Sequence, residues 1–78
     1  MQIQVLGTGC TKCNELAVRA DTAAKQSAAD YTLEKIQDIN QIIALGVFTT
    51  PALIIDGKIV CSGILPSVEE IRKFMESP

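Results

Sequence analysis

Two cysteines separated by two residues are the feature of the sequence that most directly indicates chemistry. Cys10 and Cys13 enclose Thr11-Lys12 and follow Gly9. A thiolate exchanges with a disulfide through a mixed-disulfide intermediate, which a second thiol held nearby resolves. If a helix begins here, the spacing of three residues brings both sulfurs within one turn. The pair is therefore a candidate centre for thiol–disulfide exchange.

The two thiols are predicted to have different roles. We assign Cys10, the more N-terminal of the two, as the attacking nucleophile, and Cys13, inside the helix and facing the core, as the resolving thiol. Unpaired N–H groups and the positive end of the helix macrodipole favour a thiolate at a helix N-terminus. Cysteine pKa values at such positions fall to about 3.5–7.5, from roughly 8.5 for a free cysteine. Lys12 adds a nearby positive charge and is the candidate residue for tuning this pKa.

The elements around the cysteines alternate between strand and helix. Residues 1–6 alternate apolar and polar side chains, which predicts a strand. From residue 13 to about residue 28, apolar and small side chains recur at helical spacing. Residues 31–36 then predict a second strand. The cysteine pair is therefore expected between the first strand and the N-terminus of the first helix.

The second half of the chain predicts a short helix and a hairpin. Residues 38–45 begin with the pattern of a capping box, and Gly46 is suited to end the helix. Residues 51–55 form an apolar run typical of a central strand. Asp56-Gly57 is a strong two-residue hairpin turn, and residues 58–62 are the returning strand.

The last helix completes a single α/β domain over residues 1–78. Ser67 and Glu70 form a second capping box. The stripe expected to be buried consists of Val68, Ile71, Phe74 and Met75. The order βαβαββα predicts a four-stranded mixed sheet with helices on both faces, and a right-handed parallel first crossover.

Composition excludes several classes of function. The chain has a net charge of −2 and no cluster of basic residues, so no nucleic-acid partner is expected. No apolar run approaches the roughly 20 residues of a membrane span, and the first residues lack a signal-peptide pattern. We therefore expect a cytoplasmic protein with no membrane partner.

The second motif of the chain is Thr49-Thr50-Pro51-Ala52. Together with Gly9 to Cys13, Gly46 to Leu53, and Asp56-Gly57-Lys58 followed by Gly63, it resembles the thioredoxin-like superfamily. The similarity covers nearly the whole chain. It is greatest to the very small single-domain members described as redox-active disulfide or glutaredoxin-like proteins.

The resemblance implies a fold, a reaction and a binding surface. It implies a thioredoxin-like fold and a cis Thr50–Pro51 peptide bond beside the two sulfurs. The backbone of Thr50 would then bind an extended substrate segment, and Gly63 would lie near the same groove. A disulfide-containing protein or small molecule is the implied substrate. A thioredoxin-reductase-like flavoprotein is the implied electron donor, and no cofactor is implied.

The sequence also departs from larger thioredoxins. Thr8-Gly9 stands where a tryptophan precedes the cysteines, and Thr11-Lys12 replaces Gly-Pro between them. Gln4 is the candidate replacement for the acid that is buried beneath the second cysteine. The charges with which glutaredoxins bind glutathione are not recognisable, so glutathione dependence is not inferred.

Two other functions use the same cysteine pair. Two thiolates can carry Cu(I), a soft ion, although copper carriers usually follow a βαββαβ order and end in a strand. A closed zinc site needs four ligands, and the chain has three cysteines and no histidine. A redox-sensing adaptor is the second alternative.

The third cysteine, Cys61, has two possible roles. It is expected on the last strand in phase with Ile59. Either it is a small core residue, because buried cysteine behaves as a small hydrophobic residue, or it is a third redox thiol.

Overall fold

The computed structural model describes residues 1–8, 11–27 and 30–76. The elements are β1 Gln2–Leu6, α1 Thr11–Ser27, β2 Thr32–Ile36, α2 Ile39–Ala44, β3 Ala52–Ile55, β4 Lys58–Ser62 and α3 Val68–Glu76. This is the predicted order of elements. Within the described ranges, no helix has both the length and the apolar character needed to cross a bilayer.

The sheet brings four loops to one edge. Its strand order is β2-β1-β3-β4, with β1 parallel to β2, and β3 antiparallel to both of its neighbours. The predicted four-stranded mixed sheet is therefore confirmed. In this arrangement the ends of β1, β2 and β4 and the start of β3 lie at the same edge. The loops that carry the two predicted motifs must meet there.

Helices α1 and α3 cover one face of the sheet. Their cluster of buried residues consists of Ile3, Val5, Leu16, Ala17, Ala20, Ala23, Ala24, Leu53, Ile55, Cys61 and Ile71. The alanines of α1 leave little side-chain bulk between helix and sheet. Leu16 and Ile71 are fully buried, and burial of such a side chain contributes about 1.5–3 kcal/mol each.

Helix α2 covers part of the opposite face, as predicted. The smaller cluster there consists of Leu6, Ile36, Ile42, Val47, Ala52 and Ile54. The carboxylate of Asp38 caps α2 by accepting the Asn40 N–H at 2.9 Å. Gly46 follows the helix with φ +86°, a conformation that glycine adopts without the steric cost of a Cβ atom.

The turn and the cap in the last third of the chain form as predicted. Asp56 and Gly57 have φ values of 51° and 80°, as a type I′ hairpin turn requires. At the start of α3, the Glu70 N–H donates to Ser67 Oγ at 3.2 Å. The Ser67 N–H donates in return to Glu70 Oε1 at 3.3 Å, which completes the capping box.

A β-bulge in β4 corrects one prediction. Cys61 lies opposite Leu53, whereas Ile59 lies opposite Ile54, so Val60 is an extra residue in the ladder. Because of this insertion, Cys61 and Ile59 lie on opposite faces of the sheet. The expected common phase of these two residues is therefore wrong.

Candidate active site

Cys13 lies in the first turn of α1, which begins at Thr11. Only 5% of Cys13 is exposed, while Thr11 and Lys12 before it are exposed. The burial agrees with the predicted orientation of Cys13 toward the core. Cys10, the predicted nucleophile, lies outside the described residues.

Gly7 makes room for the sulfur of Cys13. A Cβ atom built on Gly7 would overlap Cys13 Sγ and would lie 2.7 Å from Cys13 Cβ. The Gly7 N–H also donates to the carbonyl of Ile36 at 3.0 Å, which holds the end of β1 against β2. No side chain larger than hydrogen fits at this position unless Cys13 moves. The sequence motifs do not reveal this packing, although a glycine at a strand end can signal close backbone approach.

A small cavity beside Cys13 is lined by residues from three elements and their loops: Val5, Gly7, Cys13, Asn14, Lys35 and Gln37. Gln4 instead lines a groove on the α2 side of the sheet, together with Gln41 and Leu45. Successive side chains of a strand point to opposite faces. Val5 is therefore the β1 residue that shares this cavity with Cys13, and Gln4 is not.

Pro51 lies at the same edge of the sheet. The Thr50–Pro51 peptide bond is cis, and Pro51 is buried. The ladder between β1 and β3 ends with the pair Leu6 and Ala52. One residue beyond this pair are Gly7 and Pro51, so the register brings Pro51 close to Gly7, which lies against Cys13.

Gly63 packs against the segment that precedes Pro51. Its φ is +76°, and a Cβ atom there would lie 3.1 Å from Thr49 Oγ1. The Gly63 N–H donates to the Pro51 carbonyl at 2.8 Å. Thr50, between Thr49 and Pro51, is exposed. The three predicted substrate-binding residues, Thr50, Pro51 and Gly63, are thus brought together.

The two segments that carry Thr50 and Gly63 expose apolar side chains and contain no charge. Phe48 is 81% exposed, and Ile64, just after Gly63, is 54% exposed. Residues 39–55 and 59–68, which carry this surface, contain no charged side chain. Exposed apolar side chains grouped on a surface mark contact sites more often than isolated ones do.

Cys61 has surroundings that keep its thiol protonated. Burial raises the pKa of Cys61, and the nearby negative charge of Glu70 raises it further, against a backbone hydrogen bond from Leu53 that lowers it. Cys61 belongs to the core cluster under α1 and α3. Both observations favour the core role over a third redox thiol.

Comparisons with a family model and with known proteins point to the same protein family. A family model described as a thioredoxin domain matches residues 1–76. A protein of Methanothermobacter thermautotrophicus named thioredoxin is 39% identical over 75 residues, which cover 96% of this chain and 97% of the relative. A thioredoxin of Methanocaldococcus jannaschii is 40% identical over 75 residues, covering 96% of this chain and 86% of the relative.

Proposed function

The chain belongs to the thioredoxin-domain family, and on this basis we propose that it is a thiol–disulfide oxidoreductase acting through Cys10 and Cys13. The observation that carries the proposal is the position of Cys13. Its sulfur is seated against Gly7 in the first turn of α1. Pro51 and Gly63 lie at the same edge of the sheet. A buried thiol at this point is suited to resolve a mixed disulfide formed by its neighbour in sequence.

The proposed reaction transfers two electrons to a partner disulfide. The thiolate of Cys10 attacks one sulfur of that disulfide, whose S–S bond breaks as a mixed disulfide forms. The other partner sulfur leaves as a thiolate and takes up a proton. The thiolate of Cys13 then attacks the Cys10 sulfur and releases the second partner thiol, which is also protonated. Cys10 and Cys13 end as an intramolecular disulfide, which a flavoprotein of the thioredoxin-reductase class would reduce again.

The first turn of α1 and the burial of Cys13 support these separate roles. The unpaired N–H groups of the first turn of α1 and the positive end of its macrodipole stabilise the negative charge of a thiolate. Lys12 is exposed within this turn and adds a positive charge. Because Cys13 is only 5% exposed, it is shielded from bulky disulfides in solution. This shielding suits a thiol whose target is the sulfur of Cys10.

The proposed partner contains an extended segment with apolar side chains beside its disulfide. Among the residues that the structure describes, neither the N–H nor the carbonyl of Thr50 makes a hydrogen bond. These two groups are available to an extended segment in a strand-like arrangement. Phe48 and Ile64, on the segments that carry Thr50 and Gly63, offer exposed apolar side chains, and these segments have no charges that would select an acidic or a basic partner.

Reduction of insulin disulfides, with dithiothreitol as the electron source, tests the proposal. The wild-type protein is expected to accelerate the reaction, and Cys10→Ser is expected to reduce the rate to that of dithiothreitol alone. A redox titration in glutathione buffers should find one reversible two-electron disulfide. A Cys10→Ser variant as active as the wild type would contradict the proposal.

Two further outcomes would indicate the alternative functions. Tight one-to-one binding of Cu(I) against a competing chelator, with no turnover, would favour a copper carrier. A reversible disulfide without turnover in the presence of any reductant would favour a redox-sensing adaptor.

A further inference from the structure

Ser62, the last residue of β4, makes two hydrogen bonds to Thr49. Its hydroxyl donates to the Thr49 carbonyl at 3.1 Å, and its Oγ lies 2.6 Å from Thr49 Oγ1. A serine hydroxyl has a single proton to donate. Since that proton is directed to the carbonyl, the Thr49 hydroxyl must donate to Ser62 Oγ. The arrangement therefore joins the side chain and the backbone of Thr49 to the end of β4.

A backbone hydrogen bond holds the other side of Thr50. The Gly63 N–H donates to the Pro51 carbonyl at 2.8 Å. Residues 62 and 63 thus hold the residues before and after Thr50. Thr50 itself has an exposed side chain and, within the described part of the chain, backbone groups with no hydrogen bond. Thr50, whose backbone groups are available, therefore lies between two residues that are both held by the end of β4.

We propose that Ser62 is a positioning residue that holds Thr50 ready to pair with the backbone of a substrate segment. This inference rests on the proposed oxidoreductase function and adds a residue to its binding surface. An extended partner pairs well only with a backbone that is already in place, because ordering a loop during binding costs conformational entropy. Loss of the Ser62 hydroxyl would remove both hydrogen bonds to Thr49. Substrate binding would then have to order the segment around Thr50.

Ser62 should affect the binding of a peptide backbone but not the reactivity of the cysteine sulfurs. Ser62 is at the end of β4, opposite Ala52, and its hydroxyl is hydrogen-bonded to Thr49. A protein disulfide should therefore depend on Ser62. A small disulfide without a peptide backbone, such as hydroxyethyl disulfide, should not.

Steady-state kinetics of Ser62→Ala, Ser62→Thr and Thr49→Val with both disulfides test this inference. For a protein disulfide, Ser62→Ala should raise KM roughly two- to tenfold with kcat little changed, the range expected for loss of a hydrogen bond. Ser62→Thr keeps a hydroxyl and should restore the wild-type KM. Thr49→Val should raise KM similarly, and the double variant should add little, because both residues act as one unit. The rate with hydroxyethyl disulfide should stay at the wild-type value throughout.

Several results would overturn the inference. An unchanged KM in Ser62→Ala would do so, as would a Ser62→Thr variant no better than Ser62→Ala. Equal slowing with both disulfides would assign Ser62 to the sulfurs or to overall stability instead. If the wild-type protein reduces neither disulfide, the proposed oxidoreductase function itself is wrong. If the wild type is active and the Ser62 variants keep its KM for the protein disulfide, only the positioning role is refuted.

Discussion

Cys13 and Cys61 are both buried, with exposures of 5% and 8%, but their surroundings favour different chemistry. Cys13 lies in the first turn of α1, where the helix stabilises negative charge and where the loops at the edge of the sheet meet. Cys61 lies within β4 beneath α1 and α3, and burial together with the charge of Glu70 raises its pKa. Burial alone therefore does not separate Cys13, which we propose takes part in the reaction, from Cys61 in the core. Position relative to a helix N-terminus and to a binding surface does.

The largest expected difference between the two thiols is in turnover. Cys13→Ser should leave the mixed disulfide with the partner unresolved, so that steady-state reduction of insulin falls to the background rate. When insulin is added to the reduced variant without dithiothreitol, which would itself cleave the mixed disulfide, the covalent complex should accumulate and be visible by mass spectrometry. Cys61→Ser is the matched control and should retain most of the turnover of the wild type. Comparable losses in the two variants would remove the distinction between a resolving thiol and a core thiol.

Gly7→Ala should damage the surroundings of Cys13 specifically. The added methyl group would overlap Cys13 Sγ, and overpacking of this kind costs about 1–3 kcal/mol of the free energy of unfolding. Gly46→Ala is the control, because its added Cβ meets no atom within 4 Å. Only the positive φ should lower the free energy of unfolding of this variant, by about 1–2 kcal/mol.

Urea unfolding and a redox titration together separate these two effects. Both variants should be less stable than the wild type. Only Gly7→Ala should also shift the reduction potential of the Cys10/Cys13 pair, because only that change displaces a reacting sulfur. An unshifted potential in Gly7→Ala would show that the glycine matters for packing and not for the site.

The smallest expected effect is the pH dependence of stability that Cys61 contributes. The pKa of Cys61 is raised in the folded state, so the folded protein binds this proton more tightly than the unfolded chain does. The resulting stability is present below the unfolded pKa, roughly 8.5, and is lost as pH rises through the folded pKa. Urea midpoints measured from neutral pH upward should therefore fall less steeply in Cys61→Ala than in the wild type. Parallel curves would contradict the raised pKa.

Local patterns sufficed to predict the elements of the fold. Ser67 and Glu70 identified the start of α3, Asp56-Gly57 identified the hairpin turn, and the small side chains of α1 identified its buried face. Each of these signals acts through neighbours a few residues away, so the sequence contains it in full. The Val60 bulge was missed because an extra residue in a strand leaves no mark on a short alternating pattern.

The site was only partly predictable, because local patterns do not show which distant residues come into contact. Cys13, Thr50, Pro51 and Gly63 were identified from motifs and from a family resemblance, and the structure brings these residues to one edge of the sheet. The contact of Gly7 with Cys13 and the hydrogen bonds of Ser62 to Thr49 were not predicted, because they depend on which distant residues pack together. Ser62 is 13 residues from Thr49 in sequence, and only the pairing of β3 with β4 brings the two hydroxyls together.

The sequence by itself determined the order of helices and strands, the turns and caps between them, and the presence of a cysteine pair where the first helix begins, because short-range hydrogen bonding and side-chain periodicity decide these features. Tertiary structure alone decided which sulfur lies against Gly7, which face Cys61 occupies and which residues hold Thr50. These features depend on strand register and on contacts between distant residues. Register is set by packing of the whole sheet against its helices, and no short segment contains that information.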